Sequence, residues 1–232
     1  MLTAKKKLSV REAVPKSTSS SFYYDAMDWA KANTKLLAGV GIGIVAIVIL
    51  GYFYMSGKAA DELEANRQLR KVMPLYQQQQ YKLAINGDAN QGIPGLASIA
   101  DKYSGTPTGE VAMIYLANAY LYTDELDKAL AAYEDASPES DVLRSAAVAG
   151  EAAVYEAKKN YSEAAELYEK AAGMLNNDLL MSQRQLAAGR AYGLAGNKEK
   201  AKEMLELVKQ SKATQFHQMA DRLLSQYELV EE

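Results

Sequence analysis

The sequence predicts an all-α protein: a single N-terminal transmembrane helix, then an α-solenoid of helical hairpins closed by a C-terminal capping helix. Three observations carry this expectation. Residues 36–55, LLAGVGIGIVAIVILGYFYM, are twenty consecutive uncharged positions. The sequence beyond them is rich in Ala and other helix formers. Three of its segments repeat at spacings of 35 and 37 residues.

At ~1.5 Å rise per residue the apolar run spans the ~30 Å hydrocarbon core of a bilayer. Trp29 precedes it and Tyr52, Phe53 and Tyr54 close it, the placement of aromatic residues at the two membrane interfaces. The alternative is a cleaved signal peptide, whose apolar region is ~7–15 residues behind a short basic segment. Here the run is longer and follows 35 polar residues, and Gly57-Lys58-Ala59 makes a weak cleavage site. An anchor is therefore expected, and with no cysteine in the chain, lipoprotein acylation is excluded. Within the run, Gly39 and Gly43 form a GxxxG that lets a second helix approach, for homo- or hetero-association. Small residues are also common in membrane helices that have no such partner.

The first 35 residues carry seven cations (Lys5, Lys6, Lys7, Arg11, Lys16, Lys31, Lys35) against Glu12, Asp25 and Asp28. By the positive-inside rule the N-terminus stays in the cytoplasm and the long C-terminal part crosses. Lys58, Arg67, Arg70 and Lys71 beyond the run weaken that bias. Of the net charge of −3, the chain after residue 35 carries −7, a balance that argues against nucleic-acid binding.

Five segments follow. Residues 1–24, with the STSSS stretch, have the composition of a solvated, disordered basic tail. Residues 25–58 hold the anchor and its flanks. Residues 59–109 form a linker helix running to Ile85 and bent near Pro74, with 77–80 a solvated stretch of it, then a loop at 86–95 and a degenerate half-repeat from Gly95. Asp88 and Asn90 in the loop resemble the start of a calcium loop, but its other ligands and closing glutamate are missing. Residues 110–212 hold three repeats, and 213–232 a capping helix and tail.

The repeats superimpose at named positions. Ala117, Ala152 and Gly189 share one, Tyr120, Tyr155 and Tyr192 the next, then Ala129, Ala164 and Ala201; Tyr133, Tyr168 and Leu205; and Ala136, Ala171 and Val208. Small residues permit close approach of antiparallel helices, and large ones fill the space between hairpins. Thr123-Asp124, Lys159-Asn160 and Gly196-Asn197 supply the turns.

On these residues the chain resembles the tetratricopeptide repeat family. It departs where Trp is usual, at Met113, Val148 and Gln185, and in the consensus proline, displaced to Pro138 in one repeat and absent from the others. The resemblance implies a partner-binding groove lined by Val111, Ile114, Asn118, Leu121, Tyr122, Ala149, Ala153, Glu156, Leu186, Arg190 and Leu194, some of which can instead pack on the preceding helix. Asn118 and Arg190 match two positions of the family's carboxylate clamp, while Ile114, Ala153 and Leu186 replace the others, which argues against that clamp.

A basic tail, one N-in helix and such repeats on the far side are together similar to the bacterial ancillary Sec translocon subunits, the YfgM-like proteins. The INGDAN loop and LASIADKYSGTPTGEVAMIYLANAYL are similar to membrane proteins of the Bacteroidetes and green sulfur bacteria. The resemblance implies an inner-membrane adaptor with a periplasmic repeat domain, its partners translocon subunits, chaperones or exported clients. A scaffold subunit of a larger membrane or envelope complex is the other reading.

No enzyme is expected. The one histidine, His217, has no Ser or carboxylate constellation, and neither a phosphate-binding loop nor a metal-ligand spacing occurs, so no cofactor is expected. Asn160-Tyr161-Ser162 is a glycosylation sequon in form, placed at a tight turn.

Overall fold

The structure, a computed structural model, describes residues 18–227. The chain divides into two compact units, Met1–Ser56 and Gly57–Glu232.

In the first unit, α1 (Thr18–Ala32) is followed by the beginning of α2 (Thr34–Gln77). The expected tail is therefore helical from Thr18 onward; residues 1–17, with Lys5, Lys6, Lys7, Arg11 and Lys16, lie outside the described residues. The physical reason is propagation. The Asn33 N–H donates to the Trp29 carbonyl at 3.0 Å, and the Leu37 N–H donates to that of Asn33 at 3.0 Å. Helical bonding thus crosses the one-residue break, and extending an existing helix avoids the cost of a new nucleus. α2 contains the one stretch among the described residues that is long and apolar enough to cross a membrane, and that stretch is wholly exposed. Trp29 and Tyr52 are exposed too, whereas the side chains of Phe53 and Tyr54 lie outside the described part.

The second unit begins with residues 57–77 of α2. It continues through α3 (Tyr81–Asn86), a two-stranded ladder β1 (Gly87–Asp88) and β2 (Ile93–Pro94), and α4 (Leu96–Lys102). Three hairpins follow: α5 (Pro107–Tyr122) with α6 (Leu126–Asp135), α7 (Asp141–Ala157) with α8 (Tyr161–Gly173), and α9 (Asp178–Leu194) with α10 (Lys198–Gln210). Each of these helices packs on the next in sequence, and α11 (His217–Gln226) covers the end.

One turn recurs. The N–H of Glu125, Asn160 and Asn197 donates to the carbonyl five residues earlier, of Tyr120, Tyr155 and Tyr192, each at 2.9 Å. The residue before each donor is left-handed: Asp124, Lys159 and Gly196 at φ 63, 61 and 80. This six-to-one closure satisfies carbonyls that the helix end would otherwise orphan. The same turn closes α2. Gln80 donates to Leu75 at 2.9 Å and Gln79 has φ 60.

The linker helix expected to bend at Pro74 and run to Ile85 therefore ends at Gln77 and turns back as α3. Leu75 lies 45 residues before Tyr120; without the ten residues of 86–95 the separation becomes 35, that of Tyr120 and Tyr155. The half-repeat from Gly95 is thus the second part of a hairpin whose first helix is the end of α2. Leu96, Ile99 and Ala100 of α4 are buried in one cluster with Val72 and Leu75 of α2. The residues of 86–95 form the small ladder, where the Asp88 carboxylate accepts from the Asn90 N–H and the Gln91 amide.

The core is close-packed through small residues. Ala112, Ala117, Ala129, Ala152, Ala164, Ala188 and Ala201 have no exposed surface. A Cβ on Gly150 would lie 2.1 Å from the ring of the buried Tyr133, so α7 passes over that ring only because Gly stands there. The start of the second unit is fixed to α5: Lys58 Nζ donates to the Gly105 carbonyl at 3.0 Å, and the Glu62 carboxylate accepts the Thr108 N–H at 2.9 Å. A carboxylate there meets the positive end of the α5 dipole.

Candidate functional site: the face of the first helix of each hairpin

The expected groove residues divide by burial. Ile114, Ala149 and Leu186 are buried; Val111, Asn118, Leu121, Ala153, Glu156 and Arg190 are half-buried; Tyr122 and Leu194 are exposed. The buried three pack in the hydrophobic core, Ile114 with Tyr133 and Val154, Ala149 and Leu186 in the C-terminal cluster.

The polar members are bonded within the domain. Asn118 Oδ1 accepts from the Tyr133 hydroxyl at 2.7 Å while Nδ2 donates to the Ile114 carbonyl at 2.8 Å. The Arg190 guanidinium holds the Glu156 carboxylate from two nitrogens, at 2.6 and 2.9 Å. Glu156 also accepts from the Tyr168 hydroxyl at 3.2 Å, and the Tyr227 hydroxyl donates to the Arg190 carbonyl at 3.3 Å. Burial pushes the Tyr133 and Tyr168 phenols well above the ordinary tyrosine value, so both are protonated donors. The two residues that match the clamp, Asn118 and Arg190, are thus engaged by their own neighbours.

Two open clefts take in parts of this face. One, of about 360 Å³ between α9 and α11, is lined by Gln183, Leu186, Ala187, Arg190, Met219, Arg222 and Leu223. The other, of about 530 Å³, lies where the α2–α3 and α5–α6 turns meet and includes Tyr81, Leu83 and Tyr122. Tyr81 stacks on Tyr122 at 4.8 Å between ring centroids, and Tyr76 meets Tyr81 and Tyr115 edge-on at 5.4 and 5.0 Å. Tyr76, Tyr81, Tyr115, Met219 and Arg222 are absent from the sequence reading of the groove. The tyrosines became legible only through the turn at Gln79, and the α11 pair through the docking of α11 on α9. A third cleft, about 590 Å³, lies between the linkers at Gly105 and at Pro138.

The remaining residues singled out from sequence have local structural contacts. His217 Nε2 donates to the Ser211 carbonyl at 3.0 Å, fixing the α10–α11 connection. Asn160 stands in the α7–α8 turn, exposed. A Cβ built on Gly39 or Gly43 meets nothing within 4 Å. Among the described residues no group of three or more His, Cys, Asp or Glu is placed to hold a metal.

No protein-family model matches the chain, and neither a curated protein nor a solved structure shows significant similarity to it.

Proposed function

We propose that this chain is a membrane-anchored adaptor of tetratricopeptide type, binding protein partners on the face of the first helix of each hairpin. The observation that carries the reading is the turn shared by α2–α3, α5–α6, α7–α8 and α9–α10, which stacks hairpins in one series while an apolar, wholly exposed helix precedes them. Stacked hairpins present an extended side to partners, and the exposed helix segment is stable in lipid, where its backbone is satisfied internally. In this reading the bilayer holds residues 36–55, the basic N-terminal segment stays in the cytoplasm, and the repeats act in the periplasm of a bacterial inner membrane. On this reading it acts like an ancillary translocon subunit of YfgM-like type, with translocon subunits, chaperones or exported proteins as partners.

Affinity purification of the full-length protein from gently solubilised membranes, with mass spectrometry of what is retained, tests this. Recovery of translocon subunits and periplasmic chaperones is expected. One stoichiometric complex of another kind would make the chain a scaffold subunit of that assembly, and retention of no protein would contradict the adaptor reading.

A further inference from the structure

The cleft between α9 and α11 is lined by basic and apolar side chains. Its walls carry two guanidiniums, of Arg190 and Arg222, and no carboxylate. Arg190 is neutralised by Glu156, whereas Arg222 is exposed and makes no hydrogen bond or ion pair among the described residues. Arg184, outside the cleft lining, lies near Tyr168. Its buried Nε makes no hydrogen bond among the described residues, and its neighbour Gln185 has a buried, unpartnered Oε1. The Tyr168 phenol is thus flanked by the Glu156 carboxylate and by the guanidiniums of Arg190 and Arg184.

The floor is apolar. Leu186 and Leu223 are buried, Ala187 is half-buried, and Met219 is half exposed at the mouth. At about 360 Å³ the cleft sits near the lower end of the ~300–1,000 Å³ of pockets that take ligands, enough for one or two side chains. An apolar floor with a cationic rim selects an apolar side chain flanked by carboxylates: the floor supplies affinity, and the rim steers the encounter and rejects basic sequences. Methionine at the mouth adapts to side chains of different shape.

Resting on the adaptor reading, we infer that the α9–α11 cleft binds a partner segment in which an aliphatic residue is flanked by Asp or Glu, with Arg222 as the principal charge contact. The test is selection of a displayed library of random 12-residue peptides against the full-length protein in nanodiscs. The parallel selections use Arg222→Glu and Met219→Glu, both at exposed positions where the fold tolerates a charge. The wild type is expected to enrich peptides with Leu, Ile or Val between acidic residues at least tenfold over charge-reversed sequences. Arg222→Glu should lose that preference at least fivefold, and Met219→Glu should abolish selection of the aliphatic residue. Enrichment without charge preference, an unchanged preference in Arg222→Glu, or no enrichment would each overturn the inference. If partners are still retained by affinity purification in those cases, the adaptor reading stands and only the assigned chemistry fails.

Discussion

At the scale of single residues, the close helix approaches depend on positions with no room for another atom. Gly150 faces the Tyr133 ring and Gly193 the Tyr227 ring, where a Cβ would lie 2.1 and 2.3 Å away. Gly150→Ala is expected to cost about 1–3 kcal/mol by overpacking, read as a lower Tm. Gly173→Ala, at a glycine with nothing within 4 Å of its Cβ, is the control. The Glu156–Arg190 pair is partly screened, its side chains 18% and 44% exposed, so Arg190→Met should cost about 1 kcal/mol, mainly by stranding Glu156. Its coupling to Glu156→Gln should appear in a double-mutant cycle. A third residue sets a pH dependence. The Glu169 carboxyl is held below its ordinary 4.5, chiefly by the hydrogen bond from the Tyr192 hydroxyl, with Lys200 adding to it against partial desolvation. A lowered folded-state pKa contributes stability above the unfolded value that is lost as pH falls through the folded one. The Tm gap between wild type and Glu169→Gln should therefore be full well above pH 4.5 and narrow as the pH falls below it, as thermal melts across acidic pH will register.

At the scale of elements, the recurring turn gives a sharper expectation. Three of its four left-handed positions are Gln79, Asp124 and Lys159, while only the last, Gly196, has the residue that adopts φ > 0 without steric cost. Lys159→Gly should stabilise the domain by up to about 1 kcal/mol, and Gly196→Ala should destabilise it by a similar amount; urea titration measures both. The three later hairpins and their turns were legible in the sequence because small and large residues recur at one spacing. The first hairpin was not. A ten-residue insertion at 86–95 breaks the period between its helices, and its turn residues, Gln78 to Gln80, carry no Gly, Asn or Asp signal. The helical state of 18–24 was hidden for a different reason. A Ser-rich composition reads as solvated, whereas the backbone bonds across Asn33 extend α1 into α2. Of the positions expected to line a groove, Ile114, Ala149 and Leu186 are buried, because the helices of neighbouring hairpins cover them, and a single repeat does not encode that cover.

At the scale of the whole molecule, an exposed apolar helix precedes a series of hairpins, and the proposal is that partners dock on the first helices of those hairpins. Three exposed positions report on that docking. Tyr122 and Met219 are exposed at the two clefts, and Leu207 is exposed on α10, a second helix of its hairpin. The most direct measurement places a photocrosslinking amino acid at Tyr122, at Met219 and at Leu207, one at a time, in the full-length protein in its native membrane. Discrete protein adducts are expected from positions 122 and 219 and none from 207. Adducts from 207 alone, or from none of the three, would contradict docking of partners on this face.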